Sequence, residues 1–338
     1  MKLEVIKKRK LYFWISLAFI LFSIAIFFWV KLNYWIDMTW GTSAEYSYTW
    51  RLDLNTIRKN LDQASKTITY KNREVINGID SYKITGQDKI TIITWYDPSI
   101  PAKDLDKIKA NFRAKTLEIL KQTNPSFTES SYTNIGKSFW DYIKNTAILT
   151  LILAIIWIAL YVMWAFSAVA SWISTFSFSI ITILTLFHDV IIATWLYILT
   201  SLFFREFKID TYFVTALLTI LGYSINDTIV VFDRIRSNLK KFAGKKDYTL
   251  EKIIDMSVSE TLRRSIFTSF TVILVLIALL IWGPLSIQWF ILAMIYGTVV
   301  WTYSSIFIAS PLLYEFNKHK KLEKYKEKKY NPEDKIVV

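Results

Sequence analysis

Apolar runs long enough to cross a bilayer constrain this chain more than any other feature. Stretches at about 11–30, 143–164, 174–202, 211–233, 264–281 and 289–313 approach or exceed the roughly 20 residues that a membrane-spanning helix needs. With 53% hydrophobic residues and a mean hydropathy of +0.30, the chain reads as an α-helical polytopic membrane protein. The basic stretch before Leu11 could begin a signal peptide. The apolar run is too long for that, and no small-residue cleavage site follows it, so an uncleaved first span is expected.

The placement of positive charge sets an orientation. Lys2, Lys7, Lys8, Arg9 and Lys10 precede the first span. Arg234, Arg236, Lys240, Lys241, Lys245, Lys246 and Lys252 lie between the fourth and fifth, and the tail carries eight more lysines, Lys318 to Lys335. Both termini and the 234–263 loop are therefore expected in the cytoplasm, and 31–140 outside. The parts are a basic N-terminus (1–10), a first span (11–30), an external domain (31–140), a five-helix membrane domain (141–313) and a basic tail (314–338). The net charge of +13 is then a topology signal with attraction to anionic lipid. No nucleic-acid partner is expected, although a ribosome contact stays open. With no cysteine, thiolate chemistry and disulfides are excluded.

The external region reads strand, helix, strands, helix, strand. Leu54, Ile57 and Leu61 repeat at helical spacing. "SYKITGQDKITIITWY" suits a hairpin. Pro101 opens a second helix with Leu105, Ile108, Phe112 and Leu120 on one face. This β-α-β-β-α-β order predicts a ferredoxin-like sandwich.

The fourth span contains "GYSINDTIVVFDRI", with Asn226, Asp227 and Asp233 inside apolar sequence. A carboxylate there costs about 2.5–3.5 kcal/mol on insertion scales, so it is retained when it pairs or when it works. The cation candidates are Arg263 and Arg264, which open the fifth span. Glu260, Arg264 and Thr268 share a face through their four-residue spacing. In the third span "LFHDVIIA" places His188 and Asp189 in apolar surroundings, as a proton relay or a structural polar cluster. Asp233, Arg234 and Arg236 read as interfacial charges rather than transport residues, and Arg264 could instead snorkel to the interface. The two histidines, His188 and His319, lie far apart in the sequence, and no H-E-x-x-H or G-x-S-x-G occurs. No metal site, cofactor or enzyme activity is expected.

At "GYSINDTIVVFDRIRSNL" the chain resembles the SecF family, the smaller partners of SecD in bacterial protein export. "LNYWIDMTWGT", "NIGKSF", "HDV", "TLRRSIFTSFT" and "TYSSIFIASPLL" corroborate the resemblance over nearly the whole chain. It implies a member of the resistance-nodulation-division superfamily in the bacterial inner membrane. The implied partners are a SecD-like subunit, the SecYEG translocon, the translocating preprotein and a YajC-like accessory subunit. The family uses the proton gradient to help pull the secreted chain across. Carried over by motif, Asp227 is the protonatable carboxylate, Asn226 its polar neighbour and Arg264 the facing cation, with Asp189 a second proton-coupling candidate. Gly222, Asp233 and Arg234 belong to the same motif. Open alternatives are a half-transporter from another branch of the superfamily, a SecD scaffold without proton coupling, and Na+ in place of H+.

The departures from the family share one direction. Trp35, Trp40, Trp140 and Trp301 stand where the family has Gly, and so by the same pattern do Trp195 and Trp289. At about 7% Gly a chain of this length would hold roughly 24; this one has 8, against 14 Trp. An indole is a poor substitute where backbones approach closely or need positive φ. The pattern suggests a lineage that reads UGA as Gly, the alternative being a Trp-rich variant with compensating cavities. Peptide mass spectrometry of the native protein is expected to find glycine at these positions. Indole masses at 35, 40 and 301 would exclude the recoding.

Overall fold

The computed structural model describes residues 4–29, 41–49, 53–84, 87–166, 173–204, 209–284 and 287–320, with only the backbone at Lys137, Trp140 and Lys144. These residues divide into two compact units, one drawn from 1–30, 152–197 and 215–338 and the other from 31–151 and 198–214.

The second unit carries a sheet. Its elements are β1 (Gly41–Ser47), α2 (Leu54–Lys66), a short β2–β3 hairpin (Thr69–Tyr70 and Arg73–Glu74), β4 (Ile76–Lys83), β5 (Lys89–Tyr96), α3 (Ala102–Thr123) and β6 (Thr128–Ile135), following α1 (Arg9–Trp29) in the chain. The strands run antiparallel in the order β4-β5-β1-β6. The element order is β-α-β-β-α-β with the hairpin added. That hairpin turns through Lys71 and Asn72 at φ 49° and 62°, the left-handed pair of a tight two-residue loop.

Local chemistry fixes the ends of these elements. The Asp53 carboxylate accepts from the Asn55 and Thr56 amides and starts α2. Pro101 precedes α3, where its missing N–H costs nothing. One sheet face buries Ala44, Tyr46, Ile90 and Ile92 against Ile57, Leu61 and Leu120, as the alternation of strand side chains requires. Gly41 has φ +148°, and a Cβ there would stand 2.5 Å from the Thr94 carbonyl oxygen. Trp35 and Trp40 lie outside the described residues.

Six helices are long and apolar enough to cross a membrane. They are α1, α4 (Lys137–Ala165), α5 (Thr175–Phe203), α6 (Thr211–Phe242), α7 (Leu250–Trp282), and a last span built from α8 (Gln288–Ser304), a π-helical turn (Ser305–Ala309) and α9 (Ser310–Asn317). The segment 234–263, expected as a loop, is helical over most of its length. Helix α6 continues to Phe242 and α7 begins at Leu250, capped by the Thr249 hydroxyl. The charges there mark an interface but do not break a helix; the break comes at Gly244, with φ 76°.

Burial separates central from peripheral spans. In α5 and the 288–317 span 61% of the most apolar stretch is buried, against 11% in α1. Helices α6 and α8 approach closely at Gly297, where a Cβ would stand 2.3 Å from Ile220 Cγ1. The N-terminal segment is tied down: the Ile6 amide donates to Asp255 Oδ1 at 3.0 Å, and Arg9 Nε bridges Glu315 at 2.5 Å. Trp301 is buried and stacks on Tyr223 with ring centroids 5.2 Å apart. Trp195 packs edge-on against Phe22, but its buried indole N–H has no partner among the described residues, a cost of about 1–3 kcal/mol.

Lys109 of α3 is buried under the sheet unit, its Nζ donating to Asn134 Oδ1 at 2.8 Å. Burial holds this ammonium below the ordinary lysine range, with Asp106 partly opposing. Between that lowered value and the unfolded value near ~10.4, the unfolded chain binds the extra proton, so stability rises with pH through that window. Below it the penalty is fully present. Lys109→Met is expected to stabilise the sheet unit at neutral pH by about 1 kcal/mol and to abolish the rise in alkali. Denaturant titrations of the two proteins at neutral and alkaline pH check both.

Candidate functional site

Four helices bring their hydroxyls and carboxyls together in the membrane unit. Asp227 sits mid-way along α6, where only other side chains can satisfy it. Ser265 of α7 donates to its Oδ1 at 2.6 Å, and Ser305 of the last span donates to its Oδ2 at 2.5 Å. Asp189 of α5 is fully buried. Its Oδ2 accepts from Ser224 of α6 at 2.6 Å and Ser304 of α8 at 2.8 Å, and its Oδ1 faces His188 Nδ1 at 2.8 Å. His188 Nε2 continues to Ser16 of α1 at 3.0 Å, which stands 3.5 Å from the Tyr303 hydroxyl. With Asp189 ionised, His188 donates from Nδ1, and in the neutral imidazole Nε2 then accepts the Ser16 hydroxyl.

Two carboxyls on adjacent helices are therefore each held by hydroxyls, and the last span supplies one to each from consecutive residues. Hydroxyls suit such a site because they can donate to a carboxylate or accept from a carboxylic acid. The arrangement can hold and release a proton without leaving a buried polar atom bare.

The expected residues distribute as follows. Asp227 and Asp189 are joined through Ser305 and Ser304. Arg264 is exposed on α7 and acts on Asp227 only through space; among the described residues no ion pair within 4 Å joins them. The facing cation is thus nearby but not in contact. Asn226 is exposed, and a Cβ at the exposed Gly222 would meet nothing within 4 Å. Asp233 pairs with Arg236 at 2.7 Å, while Arg234 Nε bridges Glu260 at 2.5 Å, which also accepts from Asn238. These residues brace the extended ends of α6 and α7 and do not reach the carboxyl cluster. Sequence reasoning missed Ser16, Ser224, Ser265, Ser304 and Ser305, although "TLRRSIFTSFT" and "TYSSIFIASPLL" contain three of them.

Each of α6 and α7 carries a row of polar or small residues at its surface. Thr215, Gly222 and Asn226 are exposed with Thr219 half-buried between them, and Arg264, Thr268 and Thr271 are exposed at helical spacing on α7. Both rows follow the 3.6-residue period.

Residues 115–319 match the profile of the protein export membrane protein SecD/SecF family, C-terminal part. The chain is 32% identical to protein translocase subunit SecF of Sebaldella termitidis, over 100% of both chains. It is 33% identical to that of Calditerrivibrio nitroreducens, over 92% of this chain and 93% of the relative.

The chain belongs to the SecF family of protein translocase subunits.

A crystal structure of SecDF from Thermus thermophilus, a translocon-associated membrane protein, matches with a TM-score of 0.73 and 25% identity. The match covers 94% of this chain and 39% of that one. A super-membrane-facing form of SecDF matches over the same shares with a TM-score of 0.62. This SecF-family chain thus has the membrane fold of part of a longer SecDF chain.

Ser224→Ala would strip one of three hydrogen bonds from a fully buried carboxyl. It is expected to cost about 1–3 kcal/mol, whereas Thr268→Ala on the exposed face should stay within about 0.5 kcal/mol. Thermal unfolding of the two variants in detergent compares them.

Proposed function

We propose that the chain uses the proton motive force to promote protein translocation through the SecYEG translocon, as one half of a complex with a SecD-like subunit. The observation that carries this reading is Asp227 inside an apolar helix, bonded by Ser265 and Ser305 and free of any ion pair among the described residues. Such a carboxyl can be loaded with a proton and unloaded. Asp189 is the second proton-coupling residue, and Arg264 acts on Asp227 as a neighbouring cation whose influence depends on its distance. One charge crossing 100 mV of potential releases about 2.3 kcal/mol, enough to bias a two-state packing of helices. In this reading the chain is a transport subunit and not an enzyme, and it needs no cofactor.

The exposed polar rows on α6 and α7 support a SecD-like partner. Polar groups facing hydrocarbon are costly, and a second set of spans seated there would cover them. In this reading both termini lie on the cytoplasmic side of the bacterial inner membrane, which the distribution of positive charge supports, and the sheet unit lies outside it as a ferredoxin-like domain available to the emerging preprotein. A YajC-like subunit is a further accessory partner implied by the family.

Asp227→Asn keeps the size of the side chain and, like the protonated acid, presents one acceptor and one donor side, but removes its titration. In membrane vesicles carrying the complex, it is expected to abolish the gradient-stimulated part of preprotein translocation and spare the ATP-driven part. Export equal to wild type under a proton gradient would make the chain a scaffold for SecD. Replacing the proton gradient by a sodium gradient separates the two coupling ions.

A further inference from the structure

The sixth span consists of α8, a π turn and α9, and its irregularity begins next to the two serines that touch the carboxyls. Pro311 has no N–H to return to the Phe307 carbonyl and its ring crowds that carbonyl, so the α ladder cannot run through here. The chain answers with a π turn from Ser305 to Ala309, and the Ser310 hydroxyl donates to the Ser305 carbonyl at 3.4 Å. Single π turns inside α-helices recur at functional sites.

Each serine at this junction has a second acceptor on its own helix. Ser305 Oγ lies 2.5 Å from Asp227 Oδ2 and 3.4 Å from the Thr302 carbonyl oxygen. Ser304 Oγ lies 2.8 Å from Asp189 Oδ2 and 3.2 Å from the Trp301 carbonyl oxygen. Ser265 and Ser224, which touch the same two carboxyls from α7 and α6, form no second hydrogen bond among the described residues. Among the described residues that touch the two carboxyls, the sixth-span serines are thus the hydroxyls with a second acceptor already in reach.

Resting on the reading of Asp227 as the protonated group, we propose that Ser304 and Ser305 are positioning residues that couple the two carboxyls into one proton-responsive pair. With Asp227 ionised, the Ser305 O–H donates to it. When Asp227 gains a proton, the carboxyl O–H needs an acceptor. Ser305 then turns its hydrogen to the Thr302 carbonyl and accepts through its oxygen. No heavy-atom bond changes, and the added proton stays on the carboxyl. Ser304 makes the same exchange between Asp189 and the Trp301 carbonyl. Because the two serines are consecutive on one backbone at the entry to a widened turn, a shift at one resets the other. The other charged or titratable groups around the pair are Arg264 on α7, His188 on α5 and Tyr303 on α8. None of them contacts both carboxyls.

The test reads proton occupancy directly. The full chain with its partner is reconstituted in lipid vesicles, and the protonated-carboxyl band is followed against pH by difference infrared spectroscopy. Asp227→Asn and Asp189→Asn assign the bands. Ser304→Ala, which removes no contact of Asp227, is expected to displace the pH midpoint of the Asp227 band by roughly half a unit or more, and Ser304→Thr to restore it. Where the alanine variant does not fold, Ser304→Cys carries the test. An Asp227 midpoint unchanged in Ser304→Ala or Ser304→Cys overturns the coupling. If export still collapses in Asp227→Asn, the transport reading survives that result. If export persists in Asp227→Asn while the bands still couple, the transport reading fails instead.

Discussion

The hydrogen bonding of carboxyl groups inside an apolar bundle governs how this protein is built. Asp189 is fully buried and Asp227 half-buried on apolar helices, where a carboxylate carries an insertion cost of about 2.5–3.5 kcal/mol. The bundle answers with hydroxyls from the fourth and fifth spans, Ser224 and Ser265, and from the last span, Ser304 and Ser305. That requirement fixes packing: Gly297 permits the close approach of α8 to α6, and Pro311 sets the turn that presents Ser304 and Ser305 in two directions. The most buried spans are those that carry the cluster, while α1 contributes Ser16 at its margin.

The same requirement marks what this chain lacks. The bundle satisfies its two inner carboxyls, yet leaves Asn226, Arg264, Thr268 and Thr271 exposed. Single polar residues at a lipid face are tolerated near helix ends, but two aligned rows beside the carboxyl cluster are not economical in hydrocarbon. The Thermus SecDF chain that this fold matches is longer, the match covering 39% of it.

Much of the architecture was legible in the sequence because its signals are strong and local. Apolar runs gave the spans, alternation gave the β4–β5 hairpin, and a carboxylate in an apolar helix pointed to the side chain that Ser265 and Ser305 hold. The failures have equally local causes. Basic residues from Arg234 onward were read as a loop, yet charge at an interface does not interrupt a helix, and no breaker occurs before Gly244. The β2–β3 hairpin escaped because Lys71 and Asn72 take positive φ without the usual glycine. The serines escaped because a single hydroxyl in an apolar helix normally bonds its own backbone, as Ser23 does to Phe19. Nothing in "TYSSIFIASPLL" separates such a serine from one aimed at a carboxyl; only the fold does.

The choice of hydroxyls over a direct arginine contact bears on how the site can work. A carboxylate in bidentate contact with a guanidinium gains charge-assisted hydrogen bonds that a proton must break, and the arginine would then stand unpaired at the membrane interior. Hydroxyl partners impose no such penalty, because each carries one donor and two acceptor positions and fits either ionisation state. Arg264, exposed on α7 one residue before Ser265, can influence Asp227 electrostatically while the ligands themselves stay neutral. Moving α7 would then alter the arginine's distance and the Ser265 bond together. A small helix displacement would become a change in proton occupancy, which is the conversion the proposed gradient-driven function requires.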